Sequence, residues 1–158
     1  MQNNHELILL VEDFPEAANT MIEAFTKEYE VHHVGSFQSA VQLINRVGFD
    51  HYVFDIDFPK THLHWLKFLS EAMGRKVSPS EVARRYVAYE NGFDLFKELR
   101  KVRGNDVHVL FQSGSYDWGY YERQVIRLKQ ECSRISFIPK DRFLEDPLKY
   151  FKESITET

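Results

Sequence analysis

Four apolar runs in this chain each end on a side chain suited to a phosphoryl group or a cation. Leu7–Val11 ends on Glu12-Asp13 and His51–Phe54 on Asp55. Val107–Gln112 ends on Ser113 and Ile135–Pro139 on Lys140. If the runs are parallel strands of one sheet, all four ends meet at its carboxyl edge, where open α/β sheets bind ligands. Phosphoryl transfer needs in-line positioning and neutralisation of charge on the equatorial oxygens. Glu12, Asp13 and Asp55 supply carboxylates for a hard divalent cation such as Mg2+, which takes such oxygens and keeps several waters. Asp55 is also the natural nucleophile, because a carboxylate can form an aspartyl phosphate. The Lys140 ammonium can pair with one phosphate oxygen as a point charge. The Ser113 hydroxyl can donate to another, and Gly114 leaves room for the group and offers its N–H.

These ends need a scaffold, and the pattern of the chain predicts one. Leu7–Val11 is continuously apolar, as in a strand covered on both faces. Pro15 suits the first turn of a following helix, where its missing N–H costs little, and Ala18, Met21, Ile22 and Phe25 recur at helical spacing. Val31–Val34 is a weaker strand. Ser36 can cap a helix through Leu43 and Ile44, stopped by Gly48. After the third strand, Asn91-Gly92 opens a helix closing at Gly104. Val107–Phe111 is the fourth strand, a helix covers roughly 120–132, and Ile135–Ile138 is the fifth strand. Pro139 removes a ladder donor and places that strand at a sheet edge. A last helix is expected over 143–155. Five strands alternating with helices imply a parallel α/β sheet with right-handed crossovers.

One crossover is too long. A βαβ unit takes about 30 residues, whereas 58 positions separate Asp55 from Ser113. The excess, Lys60–Glu90, reads as two added helices within a single domain spanning 1–158. The first carries Leu63, Leu66, Leu69 and Met73 and stops at Gly74; the second starts at the capping box Ser78-Pro79-Ser80-Glu81. The insert holds six basic residues against three acidic ones in a chain of net charge −4.

In this setting the sequence resembles the receiver domain of two-component response regulators, CheY-like, with order 2-1-3-4-5 and a helical insertion after the third strand. Val11-Glu12-Asp13 is similar to the family's acidic pair. Phe54-Asp55-Ile56-Asp57-Phe58-Pro59 is similar to its phosphoacceptor loop. Ser113 and Lys140 stand where it has its hydroxyl and its lysine, and Phe137 falls at its switch aromatic. The resemblance implies Mg2+ held by Glu12, Asp13, Asp55 and the backbone carbonyl of Asp57. It implies phosphorylation of Asp55 by a histidine kinase or phosphotransfer protein, with Ser113 and Phe137 as switch residues and a partner protein as output. Tyr116, Trp118, Tyr120, Arg84 and Arg85 are candidates for the partner surface, and 60–90 for a homodimer contact. Two departures stand out. The proline beside Lys140 precedes it where the family has it following, and Asp57 adds a carboxylate two residues past the acceptor.

Blander and rival readings remain beside this one. Asp13 alone reads as a helix cap, Ser113 as a turn residue, and Lys140 as a solvated lysine. His62 and His64 lack a third metal ligand at definite spacing and read as helix-start residues. Phe54-Asp55-Ile56-Asp57 also resembles the opening motif of haloacid-dehalogenase-like phosphatases, with Asp55 as nucleophile and Asp57 as acid/base. That family, however, needs an acidic pair after the lysine strand. A degenerate receiver acting as a binding-only adaptor is the third reading. The pI near 6.0 argues against general nucleic-acid or membrane binding. The lone Cys132 excludes an internal disulfide and fits a reducing compartment. No apolar run approaches the ~20 residues of a membrane span, and no signal peptide is visible, so a cytoplasmic location is expected.

Overall fold

The computed structural model describes residues 5–57, 70–76, 91–114 and 118–156, with only the backbone of Trp118. Phe58, Pro59, His62, His64, Arg84, Arg85, Tyr116, the capping box at 78–81 and the Trp118 side chain lie outside the described residues. The chain runs β1 (Leu7–Val11), α1 (Pro15–Phe25), β2 (Glu30–Val34), α2 (Phe37–Arg46), β3 (His51–Asp55) and α3 (Asn91–Arg103). It continues β4 (His108–Ser113), α4 (Trp118–Leu128), β5 (Ile135–Pro139), α5 (Lys140–Glu145) and α6 (Pro147–Thr156). All strand pairings are parallel, in the order β2-β1-β3-β4-β5. This is the expected 2-1-3-4-5 sheet, with the proline-bearing β5 at its edge.

Apolar content decides which strands are central. β3 and β4 are buried along their whole length, and β1 from Ile8 onward, whereas β2 at the edge keeps solvent contact. Side chains alternate between two cores. One face packs Leu9, Val11, Phe54, Phe96 and Phe111 with residues of α2, α3 and α4. The other packs Ile8, Leu10, Val53 and Leu110 with Met21, Phe25, Phe143 and Phe151. Burying each such side chain contributes about 1.5–3 kcal/mol, which anchors the sheet under its carboxyl edge.

Local signals account for several helix boundaries. Pro15 sits in the first turn of α1, and the Ser36 hydroxyl accepts the Ser39 N–H at 3.2 Å to cap α2. Gly104, at φ +78, closes α3. Within the insert, 70–73 is helical and ends as the glycine predicts. Gly74 takes φ +63, its N–H donates to the Glu71 carbonyl, and the Arg75 N–H donates to the Ser70 carbonyl. The expected last helix is divided. α5 begins at Lys140 itself, and Asp146 (φ −159, ψ 78) breaks the path before Pro147 starts α6. Proline cannot donate to the preceding turn, and the Asp146 carboxylate accepts the Lys149 N–H at 3.3 Å instead.

Candidate functional site

Strand register carries the functional side chains to one edge. Val11 pairs with Phe54, Asp55 with Gln112, and Ser113 with Pro139. Glu12, Asp55 and Gln112 therefore lie in one row, with Lys140 one residue beyond the Ser113–Pro139 pair. Glu12, Asp55, Gln112 and Ser113 are buried, whereas Asp13 is exposed at the mouth.

Lys140 is the centre of the site. Its ammonium lies 2.9 Å from Glu12 Oε1 and 3.3 Å from Asp55 Oδ2, with the side chain 17% exposed. Burial alone would lower its pKa, but the Asp55 and Glu12 carboxylates outweigh burial and hold it above the ordinary lysine value. The opposite holds for Asp55. Burial first, then the Glu12 charge, push its pKa well above the usual carboxylate value, with Lys140 pulling against them. Desolvation by the surrounding protein at the mouth, then the Glu12 charge, also raise Asp13. Among the described residues, Glu12, Asp13 and Asp55 place ligand atoms within 4.8 Å of one another, and such oxygens suit a hard divalent cation.

Glu12 has little coordinating capacity left. Its Oε1 accepts from Lys140 and from the Phe14 N–H at 3.2 Å, and its Oε2 accepts the Gln112 amide at 2.6 Å. This arrangement makes Glu12 chiefly the anchor of Lys140 and leaves Asp13 the most accessible carboxylate. The α1 N-cap position is Phe14, without a side-chain cap, so Asp13 is not spent on capping.

Asp57 takes a different part from the other carboxylates. Its N–H donates to Asp55 Oδ1 at 3.2 Å. Its own carboxylate accepts the Ser113 hydroxyl at Oδ2 and the Tyr121 hydroxyl at Oδ1. Ser113 closes β4, where the sequence reading put it just beyond the strand. Phe137 is half-buried on β5, in register with Phe111. Gly114 is exposed, and a Cβ there would only touch the Lys140 chain at 3.7 Å. Of the proposed partner residues, Tyr120 is 40% exposed, while its neighbour Tyr121 is buried.

Three contributors escaped the sequence reading. Gln112 had a visible signal, a lone amide inside an apolar strand. Tyr121 had none, because nothing local tells which of two adjacent tyrosines turns inward. Gly92 carries the third role. A Cβ at Gly92 would lie 2.5 Å from the Asp55 carbonyl oxygen and 2.7 Å from Ile56 Cα. Only glycine lets α3 dock there, and its N–H donates to the Ile56 carbonyl at 3.1 Å.

No family model matches the chain, and no curated protein matches it. Solved structures do. The non-phosphorylated HemR receiver domain from Leptospira biflexa aligns at TM-score 0.64 and 24% identity, covering 97% of this chain and 96% of that one. The receiver domain of the Francisella response regulator 1452 aligns at TM-score 0.62 and 16% identity, covering 96% and 98%. A CheY-like receiver domain protein from Methanospirillum hungatei JF-1 aligns at 0.57 and 16%, covering 98% and 100%. Likeness at these identities speaks for architecture, and this chain has the fold of CheY-like response-regulator receiver domains.

Proposed function

We propose that the protein is a phosphorylation-dependent signalling switch that accepts a phosphoryl group on Asp55. The observation that carries this reading is the Lys140 ammonium seated between Asp55 and Glu12 at the end of the central strand. A donor phosphohistidine, on a histidine kinase or phosphotransfer protein, presents its phosphorus to an Asp55 oxygen. The Asp55 O–P bond forms as the P–N bond breaks, and the departing imidazole nitrogen keeps the bonding pair and takes up a proton. Lys140 pairs with one phosphoryl oxygen, and the Ser113 hydroxyl and Gly114 N–H serve others.

Asp13, Asp55 and the Asp57 carbonyl are the groups that would hold Mg2+, with Glu12 behind them. When bound, the cation supplies positive charge against the phosphoryl oxygens. Output follows when Ser113 is drawn toward the phosphate and Phe137 moves with it, biasing a two-state surface over α4 and β5. Tyr120 lies on that surface.

Intact mass after incubation with acetyl phosphate and Mg2+ tests the reading. One phosphoryl group is expected on the wild type and none on Asp55→Asn or without Mg2+. No gain on the wild type would sink it and leave a binding-only adaptor. Catalytic release of phosphate from monoesters would instead point to a phosphatase.

A further inference from the structure

We propose that Asp57 is a positioning residue that latches the unphosphorylated state, holding the Ser113 and Tyr121 hydroxyls away from Asp55; this rests on the phosphoacceptor reading. Asp57 ties three elements together. Its backbone N–H reaches Asp55 Oδ1, and its two carboxylate oxygens accept Ser113 at the end of β4 and Tyr121 in the first turn of α4. The acceptor loop, the end of β4 and α4 are thus joined through one side chain.

A serine hydroxyl has one proton to donate. While that proton lies on Asp57, it is not available to a phosphoryl oxygen. Phosphorylation therefore exchanges one charge-assisted bond of Ser113 for another, and Asp57 lowers the net gain. When Ser113 leaves, the bond path from β4 through Asp57 to Tyr121 on α4 is broken. Tyr121 is well placed for this role. It is buried, and its ring stands edge-on to Phe93 at 5.9 Å, so its hydroxyl cannot wander. A side chain that already accepts two O–H donors is poorly available as a metal ligand. The acidic residues whose ligand atoms converge among the described residues are Glu12, Asp13 and Asp55.

A change of Asp57 also removes negative charge near the incoming donor, and the test separates the two effects. Phosphorylation rates with acetyl phosphate and Mg2+ are read by intact mass for Asp57→Asn, Ser113→Ala and the double variant. The latch predicts a gain of roughly tenfold for Asp57→Asn, the size of one charge-assisted bond. It also predicts that the gain disappears in the Ser113→Ala background, where the Ser113 hydroxyl that Asp57 holds is gone. An equal gain in both backgrounds would assign the effect to charge and overturn the latch, as would no gain in either.

A phosphate-free readout distinguishes this failure from failure of the phosphoacceptor reading. In unphosphorylated protein, Asp57→Asn and the shape-conserving Tyr121→Phe should shift the backbone amides of Val125 and Leu128, further along α4, in the same direction. Unchanged amides in folded variants overturn the latch whether or not Asp55 takes a phosphoryl group.

Discussion

His108 and His51 form a buried pair at the opposite end of the strands from the acidic cluster, with their Nδ1 atoms 2.9 Å apart. Proton placement follows from the chain of bonds. The Ser154 hydroxyl donates to the Phe151 carbonyl, so His108 Nε2–H must donate to Ser154 Oγ. His108 Nδ1 is then the acceptor, His51 is the donor, and the other nitrogen of His51 faces Glu6. His108 is therefore held neutral, and burial, with His51 beside it, lowers its pKa to about 3. An unfolded histidine titrates near 6.5. Between these values the unfolded chain binds the extra proton, so stability is full above about pH 6.5 and falls as the pH drops toward 3. We expect the unfolding free energy to drop by about 2 kcal/mol more in the wild type than in His108→Gln between pH 7 and pH 5. Urea unfolding at the two pH values measures this; parallel losses in both proteins would refute it.

At the scale of elements, the docking of α3 against the end of β3 is the tightest constraint on Asp55. Gly92 lies against backbone, which cannot swing aside as a side chain can. Gly92→Ala should cost about 1–3 kcal/mol by overpacking and should displace the Asp55 carbonyl. Phosphorylation of Asp55 should slow with it, whereas Gly114→Ala, with ordinary contact distances, should leave stability within about 0.5 kcal/mol. Urea midpoints and intact-mass rates check both variants. The helices also show where local signals suffice. Ser36, Pro15, Gly74 and Gly104 act on their own backbone within a turn, and each boundary fell where its chemistry placed it. The split of the last helix at Asp146-Pro147 was equally local, yet apolar periodicity on both sides masked it, because Phe143, Phe151 and Ile155 face one core across the break.

For the molecule as a whole, folding gathers the Glu12, Asp13 and Asp55 carboxylates on one rim. Asp55 and Asp13 have raised pKa values, so a proton stabilises the folded state at low pH, and that contribution is lost as pH rises through the folded values. A divalent cation substitutes for the proton. Mg2+ at a hundredfold excess over Kd should raise the unfolding free energy by about 2.7 kcal/mol, and with it the melting temperature, more at pH 7.5 than at pH 5. Calorimetry with Mg2+ and with EDTA measures the difference, and an equal or larger shift at pH 5 would count against a carboxylate site. The strand ends, the order of strands and helices, and the identities of Asp55, Ser113 and Lys140 were legible in the sequence. Each is written in a short window of apolar pattern and its terminal residue. The bonds among them were not. Lys140 and Glu12 are 128 positions apart and Gln112 and Glu12 are 100 apart, and no local rule says which buried carboxylate takes which donor. Parallel register puts these groups in one row, and exclusion of water makes each bond there nearly obligatory. The tertiary structure thereby decided that Glu12 anchors the lysine and that Asp57 holds the Ser113 hydroxyl.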